Sequence, residues 1–322
     1  MHGLGTGPVV VPIQKGLRIL RNLPAELNEL RSKFLPTAEA SWDPTNSELH
    51  NVIRTIEGSE WGARTTEVSS YGRYLATINN NPRSSPFLLL HAPSTIEHNE
   101  EEMDEAVGSF LDVLRPRLNG QYDLYMVIHD TLMQKRFVEA LKENGLEIRN
   151  SWPFTRYYMT EKNVHEYLSF TDNNPIDLPR GFELVTSSEE VSRDYETVHG
   201  NWSFRSSEEA EAIKERLLHF PAVGVREISS GKLVAWTMFY HWAFEVSNLF
   251  VFPEYRSMKF ADIMRRKLLA EAARRDFRIA LTIVDSNHGG NRYHSKNQFV
   301  TYLKDADGSP IKSAFFKIAK AT

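Results

Sequence analysis

The chain contains no cysteine. That absence removes disulfides, thiolate nucleophiles and cysteine-ligated metals together, and it points to an intracellular protein, cytoplasmic or mitochondrial. No apolar run approaches the ~18 residues that suggest a membrane span, so no membrane partner is expected. There is no excess of positive charge either. Lys and Arg number 38 against 42 Asp and Glu, a net −4, and the chain as a whole has no electrostatic reason to seek nucleic acid. No internal repeat is evident. A clustered metal-ligand set is also missing: His288 and His294 lie six apart around Gly289 and Gly290, and two histidines with no further ligand read as loop residues. No metal site is expected from them.

What is present is ordinary globular material. Hydrophobic residues make up 41% and charged residues 25% of 322 positions, enough for two domains. The stretch "GLRILRNLPAELNELRSKFLP" is basic enough for a transit segment. Its Leu17, Leu20, Leu27 and Leu30 instead predict a helix that opens the first domain. The boundary falls at "TDNNPIDLPRG", residues 171–181, where Pro, Asn and Asp suit neither helix nor strand. It separates an N-terminal domain, 1–172, from a second domain, 180–322. In the first, residues 86–92 and 124–130 read as short buried strands, and 97–114 and 134–148 as helices, the second closed by Gly145. In the second, Ser206 and Glu209 form a capping-box pattern ahead of a helix. Strands follow at 222–228, 233–240 and 244–252, then a helix from Phe260, a strand at 278–285 and a polar loop. The class is α/β (α+β) in both halves.

One stretch carries chemistry. In "LFVFPEYRSMKFADIMRRKLL" a strand stops at Pro253 and a helix starts at once, with Arg256 and Lys259 in the turn. A helix N-terminus offers free N–H groups and partial positive charge, and so suits phosphate. Phe260, Ile263, Met264, Leu268 and Ala272 form the stripe that packs this helix on a sheet.

The same letters resemble the acyl-CoA pyrophosphate loop of the GNAT superfamily of N-acyltransferases: Arg or Gln, two residues, Gly, one residue, Gly or Ala. Arg256 and Ala261 match, and Lys259 stands where the family has Gly. The branch that resembles this chain most is the glycine N-acyltransferase-like family, through Pro253, Glu254, Tyr255 and Arg256, Glu245 nine residues before Glu254, and "VDSN" at 284–287. Gln298–Phe299 stands where that family has Gly–Phe. The resemblance implies a GNAT fold in the C-terminal half beside a second α/β domain. It also implies acyl-CoA as co-substrate with no tightly bound cofactor, and transfer of its acyl group to the amino group of a small amino acid such as glycine, so the expected partners of a monomer are small-molecule substrates. The rivals are a GNAT enzyme acting on another amine or a protein N-terminus, and a non-catalytic acyl-CoA-binding protein.

N-acylation needs a base for the ammonium, donors for the oxyanion, a proton for the leaving thiolate and a grip on CoA. Glu245 is the candidate base, its pKa raised if it is buried among Trp242, Phe244 and Val246. Tyr293 is the candidate acid that the resemblance implies, since many GNAT enzymes carry a Tyr in the segment after the strand at 278–285. Leu249, Phe250 and Val251 would offer backbone groups to the pantetheine arm, on a strand that the resembling fold splays from its neighbour. Arg256, Ser257, Lys259, Phe260 and Ala261 would hold the pyrophosphate, and Asn287 a pantetheine amide. Trp202, Phe204 and Trp242 would line the acyl or acceptor pocket.

Overall fold

The computed structural model describes residues 18–20, 32, 42, 44–58, 65–72, 74–79, 81–91, 99–119, 124–128, 131–175, 177–240, 245–304, 307–310 and 312–320. Chain order in the first half is β1 (Arg18–Leu20), α1 (Pro44–Gly58), β2 (Thr66–Tyr71), β3 (Tyr74–Asn79), β4 (Phe87–His91), α2 (Glu100–Leu114), β5 (Leu124–Ile128), α3 (Thr131–Glu143), β6 (Leu146–Tyr158) and α4 (Glu161–Asn173). The second half runs β7 (Phe182–Val185), α5 (Ser188–Ser192), α6 (Tyr195–Gly200), α7 (Ala210–His219), β8 (Ala222–Glu227), β9 (Leu233–Tyr240), β10 (Glu245–Val251), α8 (Phe260–Arg274), β11 (Ala280–Val284), α9 (His288–Ser295), β12 (Thr301–Tyr302) and β13 (Lys312–Lys320).

Local chemistry explains several boundaries. Asn99 caps α2 by accepting from Glu102 N–H, and Glu100, Glu101 and Glu102 fill its first turn, where the helix dipole favours acids. Gly145 ends α3 with φ of 66°, a conformation that costs glycine nothing. The expected helix over 134–148 stops at Glu143 because β6 begins at Leu146 and pairs with the last strand. Other expectations are corrected. Arg18–Leu20 is a strand on β2, not part of a helix; the rest of that opening stretch lies outside the described residues. The capping box does not form. Glu209 is itself the residue before α7 and makes no side-chain cap, and its N–H donates to Arg83 O at 2.8 Å. The loop after β11 contains the short helix α9.

The described strands form one sheet in the order β1-β2-β3-β4-β5-β13-β6-β11-β10-β9-β8-β7, with β12 beside β6. The order contains a repeat that the letters conceal. Strands β1 to β4 pair antiparallel in succession, and β4 then pairs in parallel with β5 across α2. Strands β7 to β10 do the same, and β10 then pairs in parallel with β11 across α8. The closing strands are exchanged. β6, from the first half, lies against β11, and β13, from the end of the chain, lies against β5. β6 and β13 pair with each other at the centre.

Helices cover both faces, as a largely apolar sheet requires. One face carries α2 and α3 over Leu88, Leu90, Met126 and Ile128, and α8 over Val225, Val234 and Phe239. The opposite face carries α1 over Leu75, Leu89, Val127 and Phe154, and α5 to α7 over Ala222, Trp236 and Met238. Among the described residues no helix is long and apolar enough to cross a membrane.

Candidate active site

The candidate site lies where β10 leaves β11. β11 pairs with β6 along all five residues, from Ala280↔Tyr158 to Val284↔Phe154. Its pairing with β10 is limited to Glu245↔Ala280. Past that pair the two parallel strands separate, and the backbone of β10 facing β11 has no ladder partner. The first half shows the contrast: β4 and β5 stay paired at four successive positions, Phe87↔Tyr125 to Leu90↔Ile128.

β10 is also kinked. Its register on β9 shifts between Ser247 and Phe250, and Asn248 there has φ of 49°. Asn is among the few residues that take this left-handed conformation readily. Trp236 Nε1–H donates to Asn248 Oδ1 at 3.3 Å and fixes the bulge. Bulges of this kind commonly lie next to active sites. Leu249, Phe250 and Val251 follow it, so the residues expected to face a pantetheine arm lie on the separated stretch. Glu245 sits at its root, on the last residue that still pairs with both neighbours. Residues 241–244, including Trp242, and the side chains of 245–247 lie outside the described residues.

The turn after β10 begins with Pro253–Tyr255 in one 3₁₀ turn. Ser257 and Lys259 then both take positive φ, 75° and 63°. Lys259 is the residue before α8 and caps nothing with its side chain, so the first N–H groups of the helix, including those of Phe260 and Ala261, lack intrahelical partners. Arg256, Ser257 and Lys259 are exposed. Arg256 Nε–H donates to Val251 O at 3.2 Å, which folds the guanidinium back over the end of β10. Free N–H groups, the helix dipole and two cations thus meet at one point. The equivalent turn of the first half leads into Glu100, Glu101 and Glu102, which would repel a pyrophosphate.

Tyr293 lies on α9 and donates from its hydroxyl to Asp262 Oδ1, in the first turn of α8, at 2.8 Å. The Arg265 guanidinium stacks 4.5 Å from the centre of its ring and reaches Asp262 at 3.3 Å. Burial pushes the Tyr293 phenol well above its usual range; the Arg265 charge opposes this, and the bond to Asp262 adds to it. The phenol is therefore protonated at neutral pH, and its hydroxyl is aimed at the start of α8. Asn287 accepts from Gly290 N–H at 2.9 Å and caps α9, so in this structure its side-chain oxygen is engaged locally. His294, next to Tyr293, is buried against Tyr157, with ring centroids 5.8 Å apart.

A cavity of about 570 Å³ lined by Glu183, Glu190, Arg193, Asp194 and Arg226 lies at the outer strand β7, away from this cleft. Arg226 is paired there with Asp194 at 2.7 Å. Acids outnumber bases along its wall, which makes it a poor place for a phosphate.

The sequence matches no family model and no curated protein. Solved structures do resemble it. A Drosophila protein matches with a TM-score of 0.72 at 13% identity, over 95% of this chain and 99% of that one. A tandem GNAT protein from the clavulanic acid biosynthesis pathway matches with a TM-score of 0.53 at 12% identity, over 95% and 99%. This chain has a GNAT fold. A Pyrococcus horikoshii protein, described provisionally as an acetyltransferase, matches at 0.51 and 10% identity, over 99% and 94%. These similarities span both halves, so the GNAT fold of the second half stands beside a first half of related α/β topology.

Sequence reasoning located the turn and the strands around it. It missed the bulge at Asn248, whose signal was an Asn inside an otherwise apolar, β-leaning run. It also missed Asp262, which sits among the arginines of α8 and looks like a surface acid until α9 folds over it.

Proposed function

We propose that the chain is an acyl-CoA-dependent N-acyltransferase that moves an acyl group to the amino group of a small amino acid, glycine first, using residues 180–322. The observation that carries this reading is the separation of β10 from β11 beside an uncapped, basic helix N-terminus. It leaves a slot whose backbone on the β11 side of β10 has no ladder partner and that ends at a basic helix N-terminus. In this reading acyl-CoA is a co-substrate. Its pyrophosphate lies on Arg256, Ser257, Lys259, Phe260 and Ala261, its pantetheine arm along Leu249–Val251, with Asn287 nearby. The GNAT fold and the resemblance of about residues 182–300 to the glycine N-acyltransferase-like family support it.

The chemistry then proceeds in one displacement. Glu245, acting directly or through a water, takes a proton from the acceptor ammonium. The free amine attacks the thioester carbonyl; the C–N bond forms, and backbone N–H groups of the bulged strand stabilise the oxyanion. The C–S bond breaks and the thiolate leaves, receiving a proton for which Tyr293 is the proposed source. Tyr293 must release Asp262 to give it.

The test is release of free CoA thiol from a panel of acyl-CoAs offered the common amino acids, simple amines and a short peptide. Highest kcat/KM with glycine carries the reading. Release only with another amine or the peptide moves the acceptor. Salt-sensitive binding of CoA esters in calorimetry without release makes the protein a binder. If no CoA ester binds, the reading falls.

A further inference from the structure

The exchange of closing strands places a first-half residue at the mouth of the second half's cleft. β6 flanks β11, and Trp152 lies on β6 two residues before Phe154, which pairs with Val284 at the end of β11. Side chains two apart on a strand share a face. Trp152 therefore stands on the Phe154 side of the sheet, directly opposite Phe315 of β13, and it stacks on Tyr125 of β5 at 6.2 Å and 24°.

That side carries α1 over β6 and β11 and α5 to α7 over β8 and β9. On the other, α8 packs over β9 and β10 and α9 over β11, and the Tyr293–Asp262 bond joins the two helices across the gap. In the proposed transfer the acceptor meets a thioester held between β10 and β11 from the Trp152 side, away from the bonded pair α8 and α9. There the gap is flanked by Val284, packed with the α1 cluster, and by Phe250, packed with the α5–α7 cluster and stacked on Trp236 at 4.7 Å.

A loop from the second half crosses to meet Trp152. Phe204, between α6 and α7, stands edge-on to the Trp152 ring at 6.1 Å and 88° and packs on Trp202 at 5.5 Å. Rings at this spacing are in contact. The loop is not free to swing. Ser85 N–H donates to Ser207 O at 2.6 Å and Glu209 N–H to Arg83 O at 2.8 Å. Arg83 also pairs with Glu215 of α7 at 2.8 Å.

We infer that Trp152 and Phe204 form an aromatic gate on the acceptor side of the cleft, one ring from each half of the chain, which admits acceptor amines without a bulky side chain. The gate rests on the proposed acyl transfer and specifies its acceptor. It gives the first half a part in the reaction although its own strand pair is closed.

The test measures kcat/KM for glycine, alanine and leucine in the wild type, Trp152→Ala, Phe204→Ala and Trp152→Phe, each checked for an intact thermal transition. Opening a pocket by a methylene or more changes discrimination by roughly 10–200-fold. The leucine-to-glycine ratio should therefore rise about tenfold or more in either alanine variant and stay near wild type in Trp152→Phe. Phe204→Ala, on a loop, keeps the test open if Trp152→Ala fails to fold. An unchanged ratio in a folded alanine variant overturns the gate while leaving the acyl transfer standing. A wild type that releases no thiol with any amino acid, amine or peptide overturns the proposed function, and the gate with it.

Discussion

At the scale of single residues, Lys259 explains its own oddity. The resembling loop has Gly there, and the backbone shows why: φ is 63° and ψ 13°, a left-handed conformation that costs a non-glycine residue about 1–2 kcal/mol. Lys259 accepts that strain and brings a cation to an exposed helix start. Lys259→Gly should stabilise the fold by about 1 kcal/mol, raising the melting temperature by about 2 °C. It should also weaken acyl-CoA binding and flatten its salt dependence, since one charge is lost. Calorimetry at two ionic strengths with a melt reads both; tighter binding in the variant would mean that the lysine only fills a glycine site. Glu245, the proposed base, has its own test. Glu245→Gln keeps the shape but cannot accept the ammonium proton, and loss of a general base costs ~10²–10⁴-fold in rate. The deficit should shrink as pH rises, because more acceptor amine is already deprotonated. A variant with the wild-type kcat and pH profile would exclude Glu245.

At the scale of an element, β10 is a strand made to fail on one side. Its pairing with β9 continues to Val251↔Ala235, while its pairing with β11 ends at Glu245↔Ala280. The bulge at Asn248 lies on the stretch that is separated from β11. Asn248→Val replaces an Asn with a β-branched residue that resists positive φ, and it removes the acceptor of the Trp236 N–H. The strand should straighten or lose stability by about 1–3 kcal/mol, and kcat should fall more than acyl-CoA affinity, because the anion turn lies beyond the bulge. Steady-state kinetics beside a CoA-binding isotherm separate the two; equal losses in both would show that the bulge serves only the fold.

At the scale of the molecule, one sheet joins the halves and buries histidines beneath its helices. Burial, with the Arg265 charge adding to it, lowers the His294 pKa to about 4 from 6.5. The groups facing it are Arg265 of α8, Tyr157 of β6 and Tyr293 of α9 itself. His50, on α1, is likewise lowered, chiefly by burial, with its bond to the Asp276 carbonyl opposing. A group whose folded pKa is depressed is protonated more readily in the unfolded chain. Between about pH 6.5 and 4 the unfolded state therefore binds more protons, and stability falls as pH falls through that window. Denaturation at pH 7 and pH 5 should show the loss, and His294→Gln should reduce it. An equal loss in the variant would assign the acid sensitivity elsewhere.

The local letters by themselves determined the elements around the site: the strand at 233–240, the stop at Pro253, the apolar stripe of α8 and the cations in the turn. These depend on periodicity, proline and charge, which act over a few residues. The N-terminal stretch misled because its leucine spacing suits a helix, whereas Arg18–Leu20 pairs with residues some fifty positions away on β2. What decided the cleft was long-range. The separation of β10 from β11 is accompanied by a bulge in β10 and by full pairing of β11 to β6 on its other side. The repeat of the two halves lies in strand order, not in shared residues, so self-comparison of the sequence finds nothing. Trp152 meets Phe204 only because closing strands are exchanged, and no local pattern encodes which edge a strand will join. Pairing partners are chosen by the free energy of the whole sheet, where each strand's apolar face is buried by helices distant in sequence.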